Sequence, residues 1–333
     1  MVVCGLPSHP PLDFLARAYA TELIGETAAL LGYPPAPTAV LATTAQLLYQ
    51  RHASRVPGHS PIRTAGACLL LASQVAPPDA TASDGVGASA APPVQLSTIA
   101  TVLAHRLAVR EGAPDGAATE PLSPPSVRRW VAALAATERR VLATAGCDVA
   151  VELPHGVLAV AVNAARSAAE AEAAAEGSGV GGGAGGWAAT TDEGGWRALL
   201  QLAWAYCTDA CRCAGVEAVA PEAVAAAALR RATVALGGGG GGPPQPVAAD
   251  AADAVGALWG VPVADVAGVE RALGWLYALG ATRGRLGGAG GDLLVADALR
   301  GRGVWGGRGC RGRKPPVGGG RTRATLRLPV PPS

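Results

Sequence analysis

Apolar side chains recur every three or four residues along most of this chain, and few runs alternate as a β-strand does. Such spacing predicts helices that bury one face. In the first half the predicted helices cover residues 12–32, 38–53, 61–75, 97–110 and 126–146. In the second half they cover 155–175, 195–214, 221–236, 249–260 and 261–280. The pattern predicts an all-α protein built from two successive sets of five helices.

Two features refine this prediction. Ser126 is a suitable N-cap for the fifth helix, and Gly146 is a suitable residue to end it. The third helix of each set, 61–75 and 221–236, is rich in alanine, which allows other helices to approach closely. We therefore expect each third helix to lie at the centre of its set.

The fifth helix contains a carboxylate among apolar residues. Glu138 falls in the middle of the stripe formed by Trp130, Val131, Leu134, Val141 and Leu142, whereas Arg139 and Arg140 point away from it. A carboxylate that loses its water needs hydrogen-bond donors. A second protein chain could supply them, and so could an internal arginine or a helix terminus.

Charge is distributed unevenly along the chain, although the net charge is only +2. Residues 281–333 carry eleven basic and two acidic residues, a balance of +9, and residues 1–280 carry a balance of −7. We expect a disordered basic Gly/Arg-rich tail, which either binds RNA or an acidic partner or is simply a solvated end. No run reaches the length of a membrane span, and seven cysteines without framework spacing favour a reducing compartment.

Candidate chemistry is sparse. The sequence predicts no catalytic residue, cofactor site or metal site, because no nucleophile–base arrangement, phosphate loop or complete ligand set appears. Cys207, Cys211 and Cys213 are expected to be buried structural cysteines. His155, next to Pro154 at a helix start, is expected to cap the helix or lie on the surface. Four tryptophans have the spacing of core residues: Trp196, Trp204, Trp259 and Trp275.

Several segments, in order, resemble the cyclins, in particular the L-type cyclins. In the first half they are TELIGETAALLGYP, TAVLATTAQLLYQRH, SPIRTAGACLLLASQ, AHRL and TERRVLATAGCDVAVELPH. In the second half they are LAWAYCTDACR, PEAVAAAAL and WGVPVADVAGVERALGWLY. The resemblance spans about residues 12–279 and implies two tandem five-helix cyclin boxes, at 12–153 and 154–280, before a tail at 281–333.

The resemblance also implies a function. Cyclins have no chemistry of their own; they bind a cyclin-dependent kinase and push its C-helix into the active position. For this chain it implies a nuclear kinase regulator in RNA polymerase II transcription and pre-mRNA processing. The kinase-facing residues it implies are Gln74, where the family has a lysine, Glu138, Cys147, where an aromatic residue usually stands, and Val149. Ala76 and Pro77 replace two acidic residues of the family pattern.

Two other functions stay open at this point. Transcription factors of the IIB type use the same two-box fold to bind DNA and polymerase, but their boxes are basic, whereas residues 1–280 are acidic on balance. The other alternative is a helical adaptor of cyclin fold that binds no kinase.

Overall fold

A computed structural model describes residues 13–75, 94–110, 123–176, 193–237 and 259–285. Within these ranges the fold is all-helical, with no strand. The helices are α1 (Phe14–Leu30), α2 (Pro35–Arg55), α3 (Pro61–Val75), α4 (Leu96–Arg110), α5 (Pro124–Ala145), α6 (Pro154–Glu176), α7 (Glu193–Ala210), α8 (Pro221–Gly237) and α9 (Val263–Arg285). A 3₁₀ turn, Val216–Ala218, precedes α8. The helix predicted at 249–260 lies outside the described residues except for its last two positions, which form a turn.

Helix α3 lies at the centre of the first bundle, which we define as α1 to α5. It contacts all four of the other helices, and eleven of its fifteen residues are buried. The prediction of a central third helix is confirmed for this bundle, and Leu70 and Leu71 of this helix lie in the core. Small residues make this possible, because Ala65, Ala67 and Ala72 let neighbouring helices approach on every side.

Helix α8 has the same place in the second bundle, which comprises α6 to α9 and the 3₁₀ turn. It contacts α6, α7 and α9, and a run of buried alanines, Ala223 and Ala225–Ala228, forms its core surface. Leu47 of α2 packs into this second core, so the two bundles share an apolar contact.

The ends of several helices differ from the prediction, two of them in ways that matter for the site and the tail. Helix α5 begins at Pro124, and its N-cap is Ser123; Ser126 lies inside the first turn, because proline suits the first helical positions. Gly146 ends α5 as predicted, in the left-handed conformation with φ 65°. Helix α9 continues five residues past Gly280, to Arg285. The remainder of the predicted tail, from residue 286 on, lies outside the described residues.

Burial confirms some predictions about single residues and corrects others. Cys207, Cys211 and Cys213 are buried as predicted. Trp204 was expected in the core but is exposed on α7, with 39% of its surface accessible. His155 was expected at the surface or as a cap, yet it is buried, and its ring packs on Trp204 at 4.6 Å between centroids. The tryptophan thus covers the histidine from the solvent side.

A buried arginine connects the two bundles. The Arg17 guanidinium of α1 donates to Glu217 in the 3₁₀ turn at 3.3 Å, to Gln50 of α2 at 3.4 Å, and to Asp13. Gln50 in turn donates to the Arg212 carbonyl at 2.8 Å. Burial raises the pKa of the Glu217 carboxyl, and the charge of Arg17 opposes that rise. Because both side chains of the pair are nearly inaccessible, the Glu217 carboxylate depends on Arg17 for a neutralising charge.

None of the helices in the described ranges is long and apolar enough to cross a membrane.

We expect Arg17→Met to destabilise the protein by about 3 kcal/mol, because it leaves the buried Glu217 carboxylate without its cation. Glu217→Gln should cost less, since a neutral amide is cheaper to bury. Urea unfolding at pH 7 measures both, with the exposed Arg139→Met as the matched control, expected to change stability by less than about 0.5 kcal/mol. Equal midpoints for the Arg17 and Arg139 variants would contradict the role of this pair.

We expect the protein to lose stability as the pH falls from 7 to 5, in part because of His155. Burial lowers the pKa of His155 to about 4, so between pH 6.5 and 4 the unfolded chain binds the proton and the folded chain does not. The contribution is about 2 kcal/mol at pH 5. His155→Gln should show a shallower pH dependence of the urea midpoint than the wild type. An unchanged dependence would show that His155 takes up its proton in the folded state.

Candidate functional site

Glu138 lies at the edge of the buried face of α5. The buried positions of this helix are Leu134, Thr137 and Val141, and Glu138 is rotated about 70° from the centre of that face. It is half-exposed, beside the half-exposed Val131 and Leu142. The expectation that it sits in the middle of the apolar stripe needs this correction, because one side of the stripe faces solvent.

The carboxylate of Glu138 has no hydrogen bond or ion pair with any other described residue. Elsewhere in the first bundle, a half-buried acid forms ion pairs. Glu26 of α1 accepts from Arg106 and Arg110 of α4 at 2.7 Å each. The sequence left two sources of donors for Glu138: a second protein chain, or an internal arginine or helix terminus. Within the described ranges, no arginine or helix terminus donates to it.

Gln74 is exposed in the last turn of α3, but the structure does not bring it to Glu138. Helices α3 and α5 are antiparallel: a Cβ built on Gly66 would lie 2.7 Å from Leu134, and the beginning of α3 lies beside Thr144 near the end of α5. Gln74 and Glu138 therefore lie on opposite sides of the Gly66–Leu134 contact, roughly 18 Å from each other along the helix axes. Both lie on one helix pair, at separate points along it.

Cys147 and Val149 follow the end of α5 on a segment that α2 holds in place. Cys147 is exposed, and Val149 is half-buried against the first core. Arg51 donates to the Ala150 carbonyl at 2.8 Å, and Arg55 donates to the Thr144 carbonyl at 3.1 Å. Cys147 has a φ of 62°, the left-handed region that non-glycine residues rarely adopt. The segment thus has a defined, slightly strained shape before any partner binds.

Sequence reasoning missed a cavity of about 560 Å³ beside this segment, between the end of α2, the start of α3 and the second half of α5. Its lining residues include His52, His59, Arg63, Thr64 and Arg140. The available signal was a pair of histidines seven residues apart around Gly58. This pair does not predict a cavity by itself, because the walls form only when the turn at 56–60 folds α3 back along α2 and α5.

The two histidines of the cavity differ in their hydrogen bonding. The Val56 carbonyl lies 3.0 Å from Nδ1 of His59, so Nδ1 carries the hydrogen, and Nε2 accepts from the Tyr49 hydroxyl at 3.0 Å. Nδ1 of His52 is buried without a partner in the described chain. Burial lowers the pKa of both rings, that of His52 to about 4, so both are neutral at pH 7.

Two expected features lie outside the described residues: Ala76 and Pro77 after α3, and the basic segment from 286 to 333 with its expected RNA or acidic partner. Among the described residues no group of three or more histidine, cysteine or acidic side chains could hold a metal ion.

No protein-family model matches this chain, and no curated protein matches it. The resemblance to cyclins therefore stays a prediction from the sequence segments quoted above.

We expect Cys147→Gly to raise the free energy of unfolding by about 0.5–1 kcal/mol, because glycine adopts a φ of 62° without steric cost. Cys147→Val should lower it, since a branched Cβ fits this conformation worst. Urea unfolding of the two variants measures the difference. If the glycine variant is the less stable of the two, the left-handed conformation is wrong.

Proposed function

We propose that this chain is the regulatory subunit of a cyclin-dependent serine/threonine kinase, built from two tandem cyclin boxes. The single observation that carries the proposal is Glu138, a half-exposed carboxylate without a partner in the described chain, set between apolar side chains on a packed helical surface. The ordered segments that resemble L-type cyclins supply the identity of the partner. They also supply the setting that we propose, a nuclear role in RNA polymerase II transcription and pre-mRNA processing.

The kinase would complete the hydrogen bonding of Glu138. Backbone N–H groups or a basic side chain of the kinase can reach a carboxylate at the edge of α5. The kinase would also cover Val131 and Leu142, so the charge-assisted hydrogen bond to Glu138 would be shielded from water. Because α5 is packed on α3 before binding, little ordering is needed. The kinase conformation with its C-helix inward is then selected by the surface that fits it.

Gln74 sets the strength of the second contact. At 18 Å or so from Glu138, it could meet a different part of the kinase C-helix region. A glutamine donates hydrogen bonds but carries no charge, so this contact contributes less than a lysine would. We propose that Glu138, Cys147 and Val149 supply most of the specific contact, and that the kinase partner tolerates the missing charge.

We expect Glu138→Ala to weaken kinase binding by about tenfold or more, as truncation of a desolvated charged contact does. The full chain is used to capture kinases from a nuclear extract, and the recovered kinase is identified. Its affinity and activity are then measured with wild-type and variant chains. Gln74→Lys should strengthen binding if the lysine position of the family is retained.

The matched control is Glu170→Ala, which removes an equally charged but largely exposed residue of α6. It should leave kinase binding unchanged, and both variants should keep the helical circular dichroism signal. A loss of helical signal in Glu138→Ala would assign Glu138 to the fold instead. Recovery of DNA or polymerase without any kinase would favour a transcription factor of the IIB type, and recovery of neither would favour an adaptor.

A further inference from the structure

The cavity between α2, α3 and α5 combines positive charge with unused hydrogen-bonding groups. Arg63 of α3 and Arg140 of α5 line it, and the guanidinium group of neither forms an ion pair or hydrogen bond with a described residue. None of its lining residues in the described ranges is acidic. Asp13 acts on His59 through its charge, but Arg17 already pairs with it. The cavity is therefore positive and unneutralised.

Two of the residues that line the cavity carry a buried polar atom without a partner in the described chain. The two atoms are Nδ1 of His52 and Oγ1 of Thr64, on side chains that are 5% and 1% exposed. A buried group without a partner costs about 1–3 kcal/mol, so folded proteins rarely retain one without a use. Both atoms are almost inaccessible in this structure, so a ligand in the cavity gains them as donors only when the two side chains rotate towards it. His59 is not a third, because both of its ring nitrogens are used.

The first turn of α3 contributes further donors. Pro61 occupies the first helical position, which leaves the N–H groups of Ile62 and Arg63 without intrahelical acceptors. Ser60 and Thr64 of the same turn line the cavity. A helix N-terminus favours negative charge, and here it adds to two arginines and two unsatisfied side chains.

We infer that this cavity binds the phosphoryl group of a phosphate monoester. A tetrahedral dianion in the cavity can accept from the two arginines, and from the Thr64 hydroxyl and the Nδ1–H tautomer of His52 once these two side chains turn towards it. The volume of about 560 Å³ lies in the range of small-molecule sites and leaves room for the organic part of the ester. Such an ester is either a phosphorylated side chain of another protein or a free small metabolite.

The test is calorimetric titration of the full chain at constant ionic strength in chloride buffer. The probes are glycerol 3-phosphate, a phosphoserine peptide and the same peptide without phosphate. We expect saturable binding of a phosphorylated probe, weakened about tenfold or more by Arg63→Gln or Arg140→Gln. The matched control, Arg139→Gln, removes the same charge one position away on α5, outside the cavity, and should bind as the wild type does. Tighter binding of the phosphopeptide assigns a protein partner, and tighter binding of the small ester assigns a metabolite.

Thr64→Val separates a role of Thr64 in ligand binding from a role in the fold, because it is measured by both phosphate binding and thermal stability. It removes the unpartnered hydroxyl and keeps the shape, so thermal stability without ligand should be unchanged or higher, while phosphate binding weakens. The inference is overturned if no phosphorylated probe binds, if Arg63→Gln and Arg140→Gln bind as well as Arg139→Gln does, or if Thr64→Val loses stability instead of affinity. None of Gln74, Glu138, Cys147 and Val149 lines the cavity, so failure of the kinase proposal leaves this test intact.

Discussion

The contact between α3 and α5 depends on the absence of a side chain at Gly66. A Cβ at this position would lie 2.7 Å from Leu134 of α5 and 3.0 Å from Leu103 of α4, too close for either to remain where it is. Glycine in the middle of a helix costs about 1 kcal/mol relative to alanine, so its presence here is offset by the close packing it allows. Because α3 touches every other helix of its bundle, this contact sets the position of α5 relative to all of them.

Both candidate sites follow from that placement. The buried face of α5 centres on Leu134, Thr137 and Val141. Glu138 lies to one side of it and Arg140 to the other, about 160° apart around the helix. One edge of α5 therefore presents an acid among apolar residues, and the other presents a base at the mouth of a polar cavity. The first bundle pairs other charges, such as Glu26 with Arg106 and Arg110, and leaves these two without partners in the described chain.

Most helices could be predicted from the sequence, because hydrophobic periodicity indicates the helix and residues such as proline and glycine mark its ends. Helix α3 matches its predicted bounds, 61–75, and Gly146 ends α5 as expected. Burial of single residues was harder, because it depends on which neighbouring helix covers them. His155 is buried against Trp204 of the next helix, and Trp204 itself remains exposed. The cavity could not be predicted for the same reason, since its walls come from three helices and no motif connects them in sequence.

The opposite placement of the two sites on α5 also limits how they could influence each other. A kinase on the Glu138 edge and a phosphorylated ligand on the Arg140 edge would not compete for space, because the buried face of the helix lies between them. Any coupling would have to pass through a small rotation or shift of α5. Gly66 and Leu134 oppose such a movement, because the two helices pack so closely that a Cβ on Gly66 would lie 2.7 Å from the Leu134 side chain. The geometry favours two sites that bind independently, and a measured cooperativity between them would mean that α5 has a second stable position.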